Sequence, residues 1–236
     1  MLGFTIADDV GLALFLAAWI AYYLFVERAS AGRKGLNGLM NEYRLRWMLE
    51  MQGRDNRIVD SSLLMTIQTS TSFFASTSLI AIGGTLALLR GTDDVLKIFA
   101  DLPLGIASTR GAFEAKVLGL TIIFGYAFFK FSWASRLYGY VAILIGSVPP
   151  KQSSRVEQKR LVAIRAAEMN IVAGRHFNRG QRAFFFAVAY LGWFVSPYVL
   201  IGATALTLGV MWMRQFGSDA RAAVMLIVPD DLTIED

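Results

Sequence analysis

The chain has 236 residues, of which 55% are hydrophobic and 17% charged, a balance that excludes an ordinary soluble domain and is typical of membrane proteins. It has no cysteine and one histidine, His176, so a disulfide, a thiolate metal site and a bis-histidine haem are excluded within one chain. We therefore expect neither a metal nor a cofactor. The net charge of +5 is concentrated in two loops, which indicates a polarised membrane protein and not a nucleic-acid-binding one.

Four apolar segments follow one another along the chain, each close to or longer than the roughly 20 residues that cross about 30 Å of hydrocarbon. Pro197, near the middle of the last segment, lacks an N–H group and predicts a kink there. The third segment has no proline and exceeds one bilayer thickness, so we expect it to project partly out of the membrane. The predicted spans are residues 10–26, 61–89, 112–148 and 183–213.

The distribution of basic residues predicts the orientation. The loops 27–60 and 149–182 contain seven and eight basic residues, whereas 90–111 contains three and the tail 214–236 contains two. The positive-inside rule then places both long loops in the cytoplasm and both chain termini on the opposite side. We expect both loops to contain helices, because apolar residues recur at helical spacing from Leu36 to Met51 and the second loop has a helical composition.

The sequence thus predicts an all-α integral membrane protein formed by a single membrane domain over residues 1–236. Four transmembrane helices and two cytoplasmic helical loops make up this domain. Its basic loops face the anionic headgroups of the cytoplasmic leaflet.

The second span is unusually rich in hydroxyl side chains. On a helical wheel most of them fall on one stripe, and leucine, isoleucine and phenylalanine occupy much of the remaining surface. Small hydroxyl residues let helices approach closely, but they also line wet paths through membranes, and the sequence leaves both interpretations open. The candidate pore-lining or helix-interface residues are Ser62, Thr66, Thr69, Ser72, Ser76, Thr77 and Gly83.

Two basic residues, Lys130 and Arg136, lie inside the third segment. A cation at the centre of a bilayer costs about 2.5–3.5 kcal/mol, so each must reach an interface, water or protein. In one interpretation both side chains extend to the cytoplasmic headgroups beside the interfacial aromatic residues Trp133 and Tyr140. In the other, protein encloses Arg136, because the apolar run resumes with residues 141–146.

The chain carries none of the common catalytic motifs. There is no phosphate-binding glycine loop, no GxSxG elbow and no HExxH motif, so we expect the protein not to be an enzyme.

Several motifs resemble a family of bacterial and plant membrane proteins catalogued as domain of unknown function 599. They occur in the family's order: ASTS at 75–78, FSWASRLYGY at 131–140, ILIGSVP at 143–149, HFNRGQRAFFFA at 176–187 and WFVSP at 193–197. The resemblance implies a multi-span helical membrane protein and brings no established activity with it. It also implies that five residues belong to family motifs: Trp133, Arg136, Asn178, Gly180 and Arg182.

Two functions compete at this stage. The first is an oligomeric protein with a channel- or transporter-like role for small anionic solutes, in which the hydroxyl stripe lines the path and Lys130 or Arg136 favours anions. The second is a non-catalytic accessory subunit that packs into a larger membrane complex. In either case we expect a homo-oligomer or a larger assembly in a bacterial inner membrane.

Overall fold

The computed structural model describes residues 3–28, 35–101 and 109–225, and all the regular elements within them are helical. The eight α-helices of these residues are α1 (Ile6–Arg28), α2 (Leu36–Met51), α3 (Ile58–Arg90), α4 (Thr92–Asp101), α5 (Arg110–Ser147), α6 (Val156–Leu191), α7 (Pro197–Trp212) and α8 (Asp219–Met225). A short 3-10 helix, Gly192–Phe194, precedes α7, and a π-helical turn, Met213–Gly217, follows it.

Four stretches are long and apolar enough to cross a membrane: Ile6–Val26, Ile58–Arg90, Arg110–Ser147 and Pro197–Met225. The prediction of an all-α protein with four helices of this kind is therefore confirmed. The helix predicted over residues 36–51 is also present as α2, which buries Met48 and Met51.

The antiparallel pair α5 and α6 forms the centre of the bundle. These helices have 38 and 36 residues, which corresponds to about 55 Å each at about 1.5 Å per residue. At one end Lys116 of α5 donates a hydrogen bond to the carbonyl of Trp193, just after α6. We call this the Asp8 end of the bundle, because Asp8 lies there too. The opposite end, where α2 packs on α6, is the α2 end.

Two hydrophobic clusters divide the bundle along this axis. The cluster at the Asp8 end joins α1, α5, α6 and α7 and includes Phe15, Phe131 and Leu200. The cluster at the α2 end joins α2, α3, α5 and α6 and includes Met48 and Tyr138. The helices α1 and α7 thus belong to one half of the bundle, and α2 belongs to the other half.

The predicted fourth span, 183–213, is wrong as a single kinked helix. Instead, α6 runs unbroken from Val156 to Leu191, and Pro197 begins a separate helix after a short turn. Ser196 caps that helix by accepting a hydrogen bond from the N–H of Val199. Proline fits this first turn because the N–H group that it lacks has no partner within the helix there.

The extra turn changes the number of passages along the bundle. Within the described residues the chain runs along the long axis five times, as α1, α3, α5, α6 and α7. Asp8 near the first terminus contacts Trp193, whereas Val224 near the last accepts a hydrogen bond from Tyr43 of α2. Asp8 and Val224 therefore lie at opposite ends of the bundle. The sequence analysis counted four passages, because it divided α6 between the helical loop 149–182 and the span 183–213.

Candidate functional site

Basic residues of α5, α6 and the segment after α7 form a belt on part of the bundle surface where its two halves meet. Contacts across the helices place its members at similar height: Trp133 of α5 lies against His176 of α6, and Arg179 of α6 lies over the ring of Tyr23 of α1. Lys130 lies about 30 Å along α5 from Arg110, at about 1.5 Å per residue. The members of this basic belt are Lys130, Arg136, Arg175, Arg179, Arg182 and Arg214.

Three of the charged and aromatic residues singled out in the third segment share one depression on the surface of α5 and α6. Lys130, Trp133 and Arg136 line it together with His176. Arg136 is exposed, and its Nε donates a hydrogen bond of 2.8 Å to the hydroxyl of Tyr140. Of the two interpretations of Arg136, enclosure by protein therefore does not hold within this chain.

A second, more enclosed cavity lies where α1, α2, α6 and α7 converge. It has a volume of about 100 Å³. The motif residues Asn178 and Arg182 form its α6 wall, and Arg214, two residues after α7, forms another. Arg214 was not singled out from the sequence, because only the fold brings the end of α7 back to α6. The remaining polar lining residues are Tyr22, Asn37, Gln181 and Gln215.

Gly180, the other motif residue of α6, serves helix packing. A Cβ atom built at this position would lie 2.7 Å from Cε1 of Phe131, inside the close approach of α5 and α6. Phe131 is fully buried and stacks on Phe74 at 5.3 Å between ring centroids, so it has no room to give way.

The hydroxyl stripe of α3 lies on the outside of this chain. Ser62, Thr66, Thr69, Ser72, Ser76 and Gly83 are exposed, and Thr77 is half-buried. Ser72 shares a hydrogen bond of 3.1 Å with Ser135, which precedes Arg136 of the basic belt. Ser62, Thr66 and Thr69 therefore lie beyond the belt, at the α2 end, and only the later members lie towards the Asp8 end.

The hydroxyl groups that do pack inside the chain are different ones. Leu64, Thr71, Ser78 and Thr85 are buried at intervals of seven residues, the spacing that keeps one face of a helix against its neighbour. Thr85 accepts a hydrogen bond of 2.8 Å from Thr121 of α5. This seven-residue spacing is visible in the sequence, but the spacing alone does not show that this face is the buried one.

Each end of the bundle holds a carboxylate that accepts a hydrogen bond from a tryptophan. At the Asp8 end, Trp193 donates to Asp8 at 2.8 Å, and Lys116 lies 3.6 Å from the same carboxylate oxygen. At the α2 end, the fully buried Asp60 accepts from Trp47 at 2.7 Å and from Arg54 at 2.6 Å. The sequence analysis did not single out Asp8, Lys116 or Asp60 as candidate residues.

An apolar groove of about 680 Å³ runs between α1 and α5. Its floor is formed by Tyr190 and Trp193, and Trp19 and Tyr126 lie in its walls. No group of three or more Asp, Glu or His side chains in the described part of the chain has an arrangement that fits a metal ion.

Comparison with known proteins identifies one family. Residues 10–220 match the model of a family described as "Protein of unknown function, DUF599". No curated protein and no solved structure matches the chain.

Proposed function

The chain belongs to the DUF599 family, and we propose from its own surfaces that it is a non-catalytic membrane subunit that assembles with further copies of itself through α3. This proposal keeps the accessory-subunit hypothesis stated above and names another copy of the same chain as the partner. The main support for this proposal is that the stripe of small and hydroxyl residues of α3 is exposed together with large apolar side chains on the same face of that helix.

Large apolar residues alternate with the hydroxyl groups along this face. Ile58, Met65, Phe73 and Ile80 are 71%, 64%, 66% and 75% exposed, and at 100° per residue they fall within the same arc as Ser62. Ile58 and Met65 belong to the half of α3 beyond the basic belt, where α3 has α2, α5 and α6 beside it. Apolar side chains clustered on an exposed face are typical of a protein interface.

The same face is compatible with a second copy. Between Ile58 and Leu89 the only charged residue of α3 is Asp60, which is fully buried against Trp47 and Arg54. Two such faces therefore bring no like charges together. Their serine, threonine and glycine residues allow close approach and hydrogen bonds across the contact.

We place the membrane around the half of the bundle between the Asp8 end and the basic belt. That half is about 30 Å long on α5, which matches the hydrocarbon thickness, and the 23 residues of α1 have about the same length. The belt then lies at the headgroups, where its side chains reach anionic lipids.

The α2 end is assigned to the cytoplasm. Its connections carry Arg54, Arg57, Lys151 and Arg155, whereas the turn between α6 and α7 at the Asp8 end carries no charge. The bundle thus projects about 25 Å into the cytoplasm, and we place it in a bacterial inner membrane.

Cysteine cross-linking tests the assembly directly, because the natural chain has no cysteine. We expect Met65→Cys and Thr69→Cys to give disulfide-linked dimers on mild oxidation in native membranes. The matched control is Val188→Cys, at a position 66% exposed on α6. It should remain monomeric, because Val188 lies away from the α3 face.

Native mass spectrometry of the protein in lipid nanodiscs gives the second readout. A mass of two or more chains supports the proposal, and replacement of Ser76 by the bulky tryptophan should reduce that fraction. A monomeric mass together with equal cross-linking at all three cysteine positions would refute the proposal.

The channel-like role for small anionic solutes is the second candidate, and the basic belt favours it. An assembly that places α3 around an axis would carry exposed hydroxyl groups along that axis, with Arg136 near its cytoplasmic mouth. Anion efflux from liposomes is the measurement. Efflux that falls in the Arg136→Ala variant would support conduction. An absence of efflux from an assembled protein would refute conduction and would leave assembly as the remaining proposed role.

A further inference from the structure

The apolar groove of about 680 Å³ between α1 and α5 has no part in the proposed assembly, which uses α3. The backbone of α1 packs mainly on α7, so the space between α1 and α5 stays open. Leu16 and Ile20 of α1 form one rim of the groove, and Leu118 and Ile122 of α5 form the other, all with exposed side chains. Both helices belong to the stretches that are apolar enough to cross a membrane. In the membrane placement given above, the groove therefore opens towards the hydrocarbon.

The floor of the groove contains a buried hydroxyl group that lacks a hydrogen-bond partner. Tyr190 is 3% exposed, and no described residue donates a hydrogen bond to its hydroxyl or accepts one from it. The neighbouring Trp193 differs, because its indole N–H already donates to Asp8. Buried polar groups in folded proteins are nearly always paired, so this hydroxyl calls for a partner from outside the chain.

Gly119 of α5 gives this hydroxyl access to the groove. A Cβ atom built at Gly119 would collide with the hydroxyl oxygen of Tyr190, so a larger residue would displace the hydroxyl from its position. Gly119 and Tyr190 both line the groove. The O–H group can therefore donate a hydrogen bond to a molecule that lies in the groove.

The depth of the hydroxyl restricts the class of that molecule. Gly119 lies about 14 Å along α5 from Arg110 and about 16 Å from Lys130, at about 1.5 Å per residue. The hydroxyl thus lies near the middle of the segment that we place in the hydrocarbon. The phosphate and ester oxygens of phospholipids lie outside this layer of about 30 Å. The hydrogen-bond acceptor must therefore belong to a molecule that is itself soluble in hydrocarbon.

The aromatic lining favours a flat ring. Trp19 of α1 and Tyr126 of α5 meet edge to face, with their ring centroids 6.0 Å apart. Phe15 and Trp193 pack edge-on against Tyr190 at 5.4 and 5.3 Å. A further aromatic ring gains from offset or edge-to-face contacts with such a lining. The volume lies within the range of about 300–1,000 Å³ that is usual for small-molecule sites.

We propose that this groove binds a lipid-soluble quinone. A ring carbonyl of the quinone accepts a hydrogen bond from the hydroxyl of Tyr190, and its isoprenoid tail lies along the aliphatic rim formed by Leu118 and Ile122. The binding is reversible and involves no covalent or redox step, and its position in the hydrocarbon rests on the membrane placement of the proposed function.

The test uses the full-length protein in nanodiscs of phosphatidylcholine, and the ligand retained by the protein is counted by native mass spectrometry. One probe is a short-chain ubiquinone with a geranyl tail. The other is geranylbenzene, which has the same tail and a ring without carbonyl groups. Tyr190→Phe removes the hydroxyl alone, and Tyr198→Phe is the matched control, because Tyr198 is an exposed tyrosine of α7 outside the groove lining.

A second pair of variants changes the shape of the groove and not its hydroxyl. Ile122→Trp narrows the mouth of the groove, and Ile143→Trp is the control, since both isoleucines are exposed on α5 and Ile143 lies outside the lining. This pair keeps the test valid if Tyr190→Phe alters folding. We expect the unfolding midpoint of Tyr190→Phe without ligand to be unchanged or higher, because the lost hydroxyl has no partner among the described residues.

We expect saturable binding of the ubiquinone that is tighter than the binding of geranylbenzene. The affinity for the ubiquinone should fall about fivefold in Tyr190→Phe, as for the loss of one neutral hydrogen bond, and by a larger factor in Ile122→Trp. Both controls should bind as the unaltered protein does.

An absence of saturable ubiquinone binding would overturn the proposal. Equal binding of the two probes, unaffected by Tyr190→Phe, would also overturn it, because the groove would then hold only an apolar chain. Disulfide-linked dimers of Ile122→Cys in native membranes would overturn it as well, because a second copy would then cover the groove. Assembly through α3 is reported separately by the cysteine variants of that helix.

Discussion

Trp193 donates its indole N–H to Oδ1 of Asp8 at 2.8 Å, so the turn that follows α6 holds the start of α1. Lys116 of α5 completes the contact, with its Nζ 3.6 Å from the same oxygen and 2.8 Å from the carbonyl of Trp193. Three segments that are far apart in the chain thus meet at one buried carboxylate, and this junction fixes the Asp8 end of the bundle.

Replacement of Asp8 by asparagine should destabilise the protein by about 3 kcal/mol, because Lys116 then remains buried without its counter-charge. The measurement is the free energy of unfolding in mixed micelles. Asp9→Asn is the matched control, since Asp9 is the exposed neighbour, and it should change stability by less than about 0.5 kcal/mol. Equal losses for the two variants would show that the contact contributes no stability. The double variant Asp8→Asn/Lys116→Met should recover part of the loss.

The corresponding contact at the α2 end gives a second prediction. Trp47→Phe removes the N–H that reaches the fully buried Asp60 at 2.7 Å, and we expect a loss of about 1–3 kcal/mol. The measurement is the midpoint of thermal unfolding, followed by circular dichroism. Trp133→Phe serves as the control, because that side chain is 46% exposed, and it should leave the midpoint nearly unchanged. A larger change in the unfolding midpoint for Trp133→Phe than for Trp47→Phe would contradict a stabilising role for the hydrogen bond between Trp47 and Asp60.

Gly180→Ala should lower the stability of the bundle by about 1–3 kcal/mol, since the added methyl group meets the ring of Phe131 and neither helix has room to move. Gly125→Ala is the matched control within the same pair of helices. No atom outside its local helix backbone lies within 4 Å of a Cβ at that position, so this change should be neutral or slightly stabilising. Identical unfolding midpoints for the two variants would mean that α5 and α6 do not approach closely at Gly180.

The five passages of the chain predict that its two ends lie on opposite sides of the membrane. In intact spheroplasts, a membrane-impermeant maleimide should label Asp9→Cys and should label Ala222→Cys only after the membrane is opened. Both positions are exposed on the protein, so burial does not account for a difference between them. Labelling of both from outside would support the four-span arrangement and would place α6 outside the bilayer.

The bounds of several individual helices could be predicted from the sequence to within a few residues. Predicted segments 61–89 and 112–148 agree with α3 (Ile58–Arg90) and α5 (Arg110–Ser147) within a few residues, because apolar composition and helix length are local properties. The helix over residues 36–51 follows from the spacing of its apolar side chains for the same reason. The prediction failed at α6, because the boundary between the helical loop 149–182 and the span 183–213 falls inside this one continuous helix.

The positions of the candidate residues required the tertiary structure. A helical wheel shows that Ser62 and Thr69 share a face, but only packing reveals that this face is exposed while Thr71, Ser78 and Thr85 turn towards the rest of the bundle. Arg182 of α6 and Arg214, two residues after α7, line the same cavity. Their proximity depends on how α7 folds back along α6, which no local sequence pattern specifies.

The sequence by itself therefore determined an all-helical, membrane-type protein with four apolar helices, because hydrophobicity and periodicity act over single segments. The tertiary structure decided which hydroxyl groups are buried, where Asp8 and Asp60 find their partners and at which ends of the bundle Asp8 and Val224 lie. These features arise from contacts between residues as far apart as Asp8 and Trp193, and no local pattern specifies such a contact.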